Sequence, residues 1–109
     1  DHPDPSFTGD EAPKLNDDKI YVWTFTAGIK SNDWTYVWYK LDATEEEYTQ
    51  VEEGPIYKHR SGRTEKVSFK LYLFVSNGEC SEQSKEGSYS FSPPVSDRGL
   101  LRRMFGDHA

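Results

Sequence analysis

Hydrophobic and polar residues alternate along much of the chain, and the alternation is clearest between residues 67 and 76. The stretch reads VSFKLYLFVS, and its apolar positions are Val67, Phe69, Leu71, Leu73 and Val75. Successive side chains of a β-strand point to opposite faces of the sheet, so this pattern predicts a strand with one face in a core. Phe69, Leu71 and Leu73 are expected to be largely buried, together with Trp38.

Shorter stretches with a similar composition are spread along the chain. Residues rich in β-branched and aromatic side chains occupy 19–29, 34–42, 55–59 and 88–93. Turn-forming residues separate these stretches, among them Asn77-Gly78, a dipeptide that is typical of β-hairpins. Because no long stretch with helical periodicity intervenes, the pattern predicts an all-β fold, either an antiparallel β-sandwich or a barrel.

The two ends of the chain differ from this central region. Residues 1–18 hold three prolines and six acidic residues, a composition that predicts an extended polar linker or tail on the surface. We therefore place one β-sandwich domain at 19–95, followed by a C-terminal tail or short helix at 96–109. Within the domain, the acidic stretch 43–54 predicts an irregular sheet edge or one turn of helix.

The C-terminal stretch combines basic and apolar residues. Its apolar residues fall on one face if the stretch is helical, and they are Leu100, Leu101, Met104 and Phe105. Ser96 or Asp97 is in position to cap such a helix. We expect either a short helix folded back on the sandwich or an anchor that docks on a neighbouring subunit.

Composition narrows the classes of partner. A length of 109 residues fits one domain, and the 16 aromatic residues indicate a folded core despite a mean hydropathy of −0.88. The net charge is −6, whereas nucleic acids and anionic membranes select basic surfaces, so we expect no nucleic-acid partner. No apolar run approaches the roughly 18 residues of a membrane span, so we expect no membrane insertion.

The chain carries no recognisable catalytic or metal-binding constellation. Cys80 is the single cysteine, which excludes a disulfide within the chain, and acidic residues rather than basic ones surround it. His59 is the one histidine outside the two ends, and we expect it on the surface at the end of a strand. One histidine and one cysteine do not make a zinc site, and no acidic stretch has the spacing of a calcium loop. We therefore predict neither enzymatic activity nor a cofactor.

Four stretches together resemble a polycystic-kidney-disease (PKD)-type domain. They are Tyr36-Val37-Trp38, PIYKH at 55–59, FKLYLFVSNGEC at 69–80 and SYSFS at 88–92. After the tryptophan, where the family has a tight D-F-G-D-G turn, this chain reads YKLDAT. The resemblance implies an immunoglobulin-like β-sandwich in an extracellular spacer, adhesion or assembly module, and it implies no enzyme.

We therefore predict a non-enzymatic protein-interaction, adhesion or structural module within a larger extracellular or multi-subunit assembly. The residues expected to contact a protein partner or neighbouring subunit are Trp34, Tyr36, Tyr72, Phe74, Leu100, Leu101, Met104 and Phe105. The alternative is a carbohydrate-binding β-sandwich that uses exposed residues such as Trp34 and Tyr36 as a stacking platform. An exposed row of aromatic rings favours sugar, and rings covered by a partner favour assembly.

Overall fold

A computed structural model describes residues 2–94, which form nine β-strands in two antiparallel sheets and contain no helix. The prediction of an all-β fold is confirmed, and the two sheets form a sandwich-like arrangement around one core. The strands are β1 (Phe7–Gly9), β2 (Lys14–Leu15), β3 (Ile20–Ala27), β4 (Thr35–Asp42), β5 (Thr49–Glu53), β6 (Ile56–Gly62), β7 (Val67–Ser76), β8 (Ser81–Gln83) and β9 (Gly87–Phe91).

The first sheet is built around β3. Strand β6 pairs with β3 from Ile20 to Thr26, which occupies one edge of β3 along almost its whole length. Strands β1 and β2 pair with its two ends and therefore share the opposite edge as one interrupted strand. The order across this sheet is β1/β2, β3, β6.

The second sheet is built around β7, the strand with the strongest alternation in the sequence. Strand β4 pairs with β7 from Phe69 to Ser76 and carries β5 on its other side. Strands β8 and β9 pair with the two ends of β7, so they share its remaining edge. The order across this sheet is β5, β4, β7, β8/β9.

The core lies between the sheets and follows the predicted alternation. All five apolar positions of β7 are buried, and the fully enclosed side chains come from both sheets: Trp38, Phe25, Leu71, Leu73 and Val75. The predicted burial of Trp38, Phe69, Leu71 and Leu73 is therefore confirmed. The indole N–H of Trp38 donates a hydrogen bond of 2.7 Å to the carbonyl of Gly54, which satisfies its polar atom inside the core.

The N-terminal segment is not a surface tail, in contrast to the prediction. Strands β1 and β2 pair with β3, and the Phe7 ring packs edge-to-face on Trp38 with centroids 5.2 Å apart. The carbonyl of Asp10 accepts a hydrogen bond of 2.8 Å from the indole N–H of Trp23. An edge strand needs backbone partners on one side only and tolerates proline, so a proline-rich polar composition is compatible with this role.

Two further predictions concern the segments that connect the long strands. The acidic stretch 43–54 contains β5 and no helical turn. The pairing of β4 with β5 has a register shift between Trp38 and Tyr39, so the alternative prediction of an irregular sheet edge is the correct one. The predicted hairpin at Asn77-Gly78 is confirmed, because β7 and β8 pair on either side of it. Gly78 has a φ of 93°, a conformation that glycine adopts without steric cost. The predicted C-terminal helix lies outside the described residues.

Candidate partner-binding surface

The outer side of the second sheet carries a cluster of aromatic rings. Because β7 buries Leu71, Leu73 and Val75, the same alternation places Tyr72 and Phe74 on the opposite side. The β4 register sets Tyr39 beside Tyr72 and Val37 beside Phe74. Tyr48, from the loop between β4 and β5, completes the cluster. We call Tyr39, Tyr48, Tyr72 and Phe74 the outer aromatic face.

The three tyrosine rings of this face are in contact through Tyr72. Tyr39 and Tyr72 are stacked, with centroids 5.0 Å apart and an interplanar angle of 19°. Tyr48 meets Tyr72 edge-on at a centroid distance of 4.7 Å. All four side chains are half-buried in the chain alone. The face is therefore a pre-arranged group of rings, and ordering it costs little entropy when a partner binds.

Polar contacts anchor the face at its edge. The hydroxyl of Tyr48 donates a hydrogen bond to the carboxylate of Glu86, which lies in the connection before β9. Burial and this hydrogen bond raise the pKa of Tyr48, and burial also raises the pKa of Tyr72. Both phenols are therefore neutral at physiological pH, and the one O–H of Tyr48 is already donated to Glu86.

Trp34 and Tyr36 do not belong to this face. Tyr36 is only 4% exposed and lies in the core. Its hydroxyl donates to the carbonyl of Ile29 and accepts from the N–H of Ser31, each at 2.8 Å, and so holds the loop between β3 and β4. Trp34 is half-buried against the core, with its ring centroid 6.4 Å from that of Tyr36. The structure thus corrects the expectation that Tyr36 is an exposed contact residue.

A groove opens beside these two aromatic residues at one end of the sandwich. It encloses about 700 Å³ and is lined by residues of the β3–β4 loop, by Trp34 and by the Gly54-Pro55 turn. Within it the Tyr36 hydroxyl is already hydrogen-bonded, so the polar groups available to a ligand come mainly from the loop. The other predicted contact residues, Leu100, Leu101, Met104 and Phe105, lie outside the described residues.

Sequence reasoning missed Tyr48 as a member of the outer aromatic face. Tyr48 follows three glutamates, and the acidic stretch predicted an irregular edge rather than a contact site. The available signal was a single aromatic residue inside an otherwise acidic loop. Tyr39 was one of three cross-strand neighbours expected for Tyr72 and Phe74, together with Tyr36 and Trp38. The structure stacks Tyr39 on Tyr72, whereas Tyr36 and Trp38 lie in the core.

The structure corrects the expected position of His59. The residue lies in the middle of β6 and is only 9% exposed, and its ring centroid is 4.4 Å from that of Phe69. The hydroxyl of Tyr57 lies within hydrogen-bond distance of Nδ1, at 3.1 Å, whereas Nε2 is buried without a partner. His59 is thus a core side chain with one unsatisfied polar atom, which costs stability.

The burial of His59 predicts a pH dependence of stability. Burial, reinforced by Lys40, lowers the pKa of His59 below its ordinary 6.5, although Asp42 and Glu65 act in the opposite direction. The unfolded chain therefore binds the proton more readily than the folded chain does. The stability that neutral His59 contributes is fully present above its pKa in the unfolded chain. It is lost as the pH falls through the lower pKa of His59 in the folded chain.

Urea unfolding between about pH 7.5 and 5 is expected to show a free energy of unfolding that decreases with falling pH. His59→Gln, which cannot titrate, is expected to show a weaker decrease over the same range. The difference between the two curves isolates this residue from the carboxylates. Parallel curves for the two proteins would show that His59 does not couple to folding.

The arrangement of titratable groups shows no preformed metal site in the part of the chain that the structure describes. Between residues 2 and 94, no three side chains of His, Cys, Asp or Glu converge. Cys80 is half-buried, and its backbone N–H donates to the side chain of Asn77 in the turn after β7. None of the described residues forms an apolar helix of membrane-spanning length.

No protein-family model, curated protein or solved structure matches this chain significantly.

Proposed function

We propose that this chain is a non-enzymatic, immunoglobulin-like interaction module that binds a protein partner through its outer aromatic face. The observation that carries the proposal is the cluster of Tyr39, Tyr48 and Tyr72, with Phe74, on a side of the sheet that the core does not use. In this proposal the module works by contact within a larger extracellular or multi-subunit assembly.

The strand order supports the immunoglobulin-like part of the proposal. In chain order the strands correspond to A (β1/β2), B (β3), C (β4), C′ (β5), E (β6), F (β7) and G (β8/β9). Immunoglobulin-like sandwiches group A, B and E in one sheet and C, F and G in the other, and C′ joins the second sheet in variable-type domains. The two sheets of this chain have the same grouping.

The chemistry of the face supports a protein partner. Tyrosine and phenylalanine are enriched in protein interfaces, because their rings give a large contact area with few rotatable bonds. The phenol hydroxyls add hydrogen-bonding capacity at the rim. Half-burial of the rings in the free chain means that a partner need cover only the remaining exposed edges.

The same geometry argues for protein over carbohydrate. A sugar-stacking platform needs ring faces open to solvent in a row. Here Tyr39 and Tyr72 cover one another's faces, and Tyr36 is enclosed in the core. Only Trp34, which is half-buried itself, remains of the row expected from the sequence.

Site-specific crosslinking tests the proposal. A photo-reactive amino acid at position 72 is expected to form a discrete protein adduct in extracts of the cells that produce the chain. The control position is Thr24, half-buried on the outer side of the first sheet, and it is expected to form none. With the captured protein purified, Tyr72→Ala is expected to weaken binding at least about tenfold, as for an aromatic interface anchor, while Lys70→Ala does not.

A glycan array probed with the same variants tests the alternative function, carbohydrate binding. Glycan binding that Tyr72→Ala abolishes, without a protein adduct at position 72, would replace the protein-binding proposal by the carbohydrate one. The melting temperature of Tyr72→Ala must stay close to that of the parent chain for either result to count.

A further inference from the structure

Two edge strands lie side by side on one flank of the sandwich, each with a free edge. Among residues 2–94, β5 pairs only with β4, and β6 pairs only with β3. The two strands belong to different sheets but are joined by Gly54-Pro55 alone. Two residues cannot cross the width of a sheet, so both free edges must face the same flank.

The two edges carry opposite charges. Glu52 and Glu53 are exposed on β5, and three further glutamates, at 45–47, precede it. Lys58 and Arg60 are exposed on β6. Within the described part of the chain, none of these four strand residues forms an ion pair. One flank therefore displays an acidic strand edge and a basic strand edge, both without ionic partners there.

We propose that this flank binds a second copy of the chain, with β5 of each copy pairing with β6 of the other. The two copies are related by a two-fold axis nearly parallel to the strands. This rotation places the first sheet of one copy beside the second sheet of the other, and it brings the acidic edge of one copy against the basic edge of the other. The same operation forms the reciprocal pairing, so one closed dimer uses both edges twice.

The strand directions fit this arrangement. Strand β5 ends at Glu53, opposite Val37 near the start of β4, and β6 begins at Ile56, opposite Thr26 near the end of β3, so the two strands run in opposite directions. Rotation about an axis parallel to the strands preserves those directions, and β5 of one copy is therefore antiparallel to β6 of the other. All pairings observed within the two sheets are antiparallel as well.

The charges select this pairing over others. Charged residues on an edge strand normally prevent pairing with other chains. Here the charges disfavour pairing of β5 with β5 and of β6 with β6, because like charges would meet. They favour pairing of β5 with β6. Ile56, at the start of β6, is 39% exposed and is one of few large apolar residues so exposed among residues 2–94. Pairing at this edge would cover it.

Sedimentation velocity on the full chain tests the proposal. The chain is expected to form a concentration-dependent dimer, which weakens between about 20 and about 500 mM salt because screening reduces the charge attraction. Glu52→Lys with Glu53→Lys is expected to raise the dimer dissociation constant at least about tenfold, and so is Lys58→Glu with Arg60→Glu. An equimolar mixture of the two double variants is expected to recover the parent affinity, because both pairings in the mixed dimer again join opposite charges.

Matched controls separate edge pairing from general charge effects. Glu79→Lys and Lys14→Glu change exposed charges away from this flank and are expected to leave the dimer unchanged. Hydrogen exchange is expected to slow at the backbone amides of β5 and β6 as the dimer forms. A monomer at all concentrations, a dimer that survives both double reversals, or a mixture that fails to associate would each overturn the proposal.

The dimer and the outer aromatic face are tested separately. Tyr72 lies on β7, two strands away from the free edge of β5. Tyr72→Ala is therefore expected to leave the dimer intact. Loss of partner crosslinking at position 72 with an unchanged dimer would therefore affect only the proposed function, and the reverse result would affect only the edge pairing.

Discussion

Deletion of residues 1–18 is expected to prevent cooperative folding or to lower the free energy of unfolding by at least about 3 kcal/mol. The deletion removes β1 and β2, which together cover one edge of β3, and the Phe7 ring that packs on Trp38 and Phe25. It also leaves the buried indole N–H of Trp23 without its acceptor, the carbonyl of Asp10. Urea unfolding of the 19–109 fragment and of the full chain measures the effect.

Point variants locate that effect within the segment. Phe7→Ala is expected to cost about 2 kcal/mol, below the full value for a phenylalanine because the ring is only partly buried. Thr8→Ala changes an exposed neighbour in the same strand and is expected to stay within about 0.5 kcal/mol of the parent. An unchanged unfolding midpoint for the 19–109 fragment would show that the segment is a tail after all.

Leu71→Ala is expected to lower the free energy of unfolding by about 2–5 kcal/mol. Leu71 is 0% exposed at the centre of β7, between Lys40 of β4 and Gly87 of β9. Truncation removes buried methyl groups and leaves a cavity that strands held on both sides cannot close. Chemical unfolding followed by tryptophan fluorescence measures the change.

Lys70→Ala provides the matched control for this variant. Lys70 precedes Leu71 in the same strand but is exposed on the opposite side of the sheet. Its truncation is expected to change stability by no more than about 0.5 kcal/mol. Equal effects of the two variants would mean that the strand register is displaced by one residue, because such a displacement exchanges the two faces.

The core strand and its neighbours were predictable because their signals are local. Alternation in β7 depends only on the two-residue period of a strand, and it predicted the burial of Leu71 and Leu73 correctly. The hairpin at Asn77-Gly78 was predictable because its turn signal is also local, although the loop spans the four residues 77–80. Of the cross-strand partners expected for Tyr72, which were Tyr36, Trp38 and Tyr39, the register of β4 against β7 selected Tyr39.

Features that depend on contacts between distant segments were not predictable in this way. The composition of residues 1–18 indicates no stable structure by itself, yet β3 supplies the backbone partners that order it. His59 has charged neighbours in sequence, but the alternation of β6 turns it inward against Phe69. Tyr36 lies two residues before Trp38, so the predicted burial of Trp38 already implied that Tyr36 faces the core. The structure adds the hydrogen bonds of its hydroxyl to Ile29 and Ser31.

The candidate sites also depend partly on local sequence and partly on contacts between distant segments. The sequence by itself determined an all-β chain and which side of β7 enters the core, and therefore that Tyr72 and Phe74 lie outside it. Only the tertiary structure brought Tyr48 onto that face, and only it placed the acidic edge of β5 and the basic edge of β6 on one flank. The physical reason is that side-chain alternation is encoded within a strand, whereas the choice of neighbouring strands depends on pairings between residues far apart in the chain.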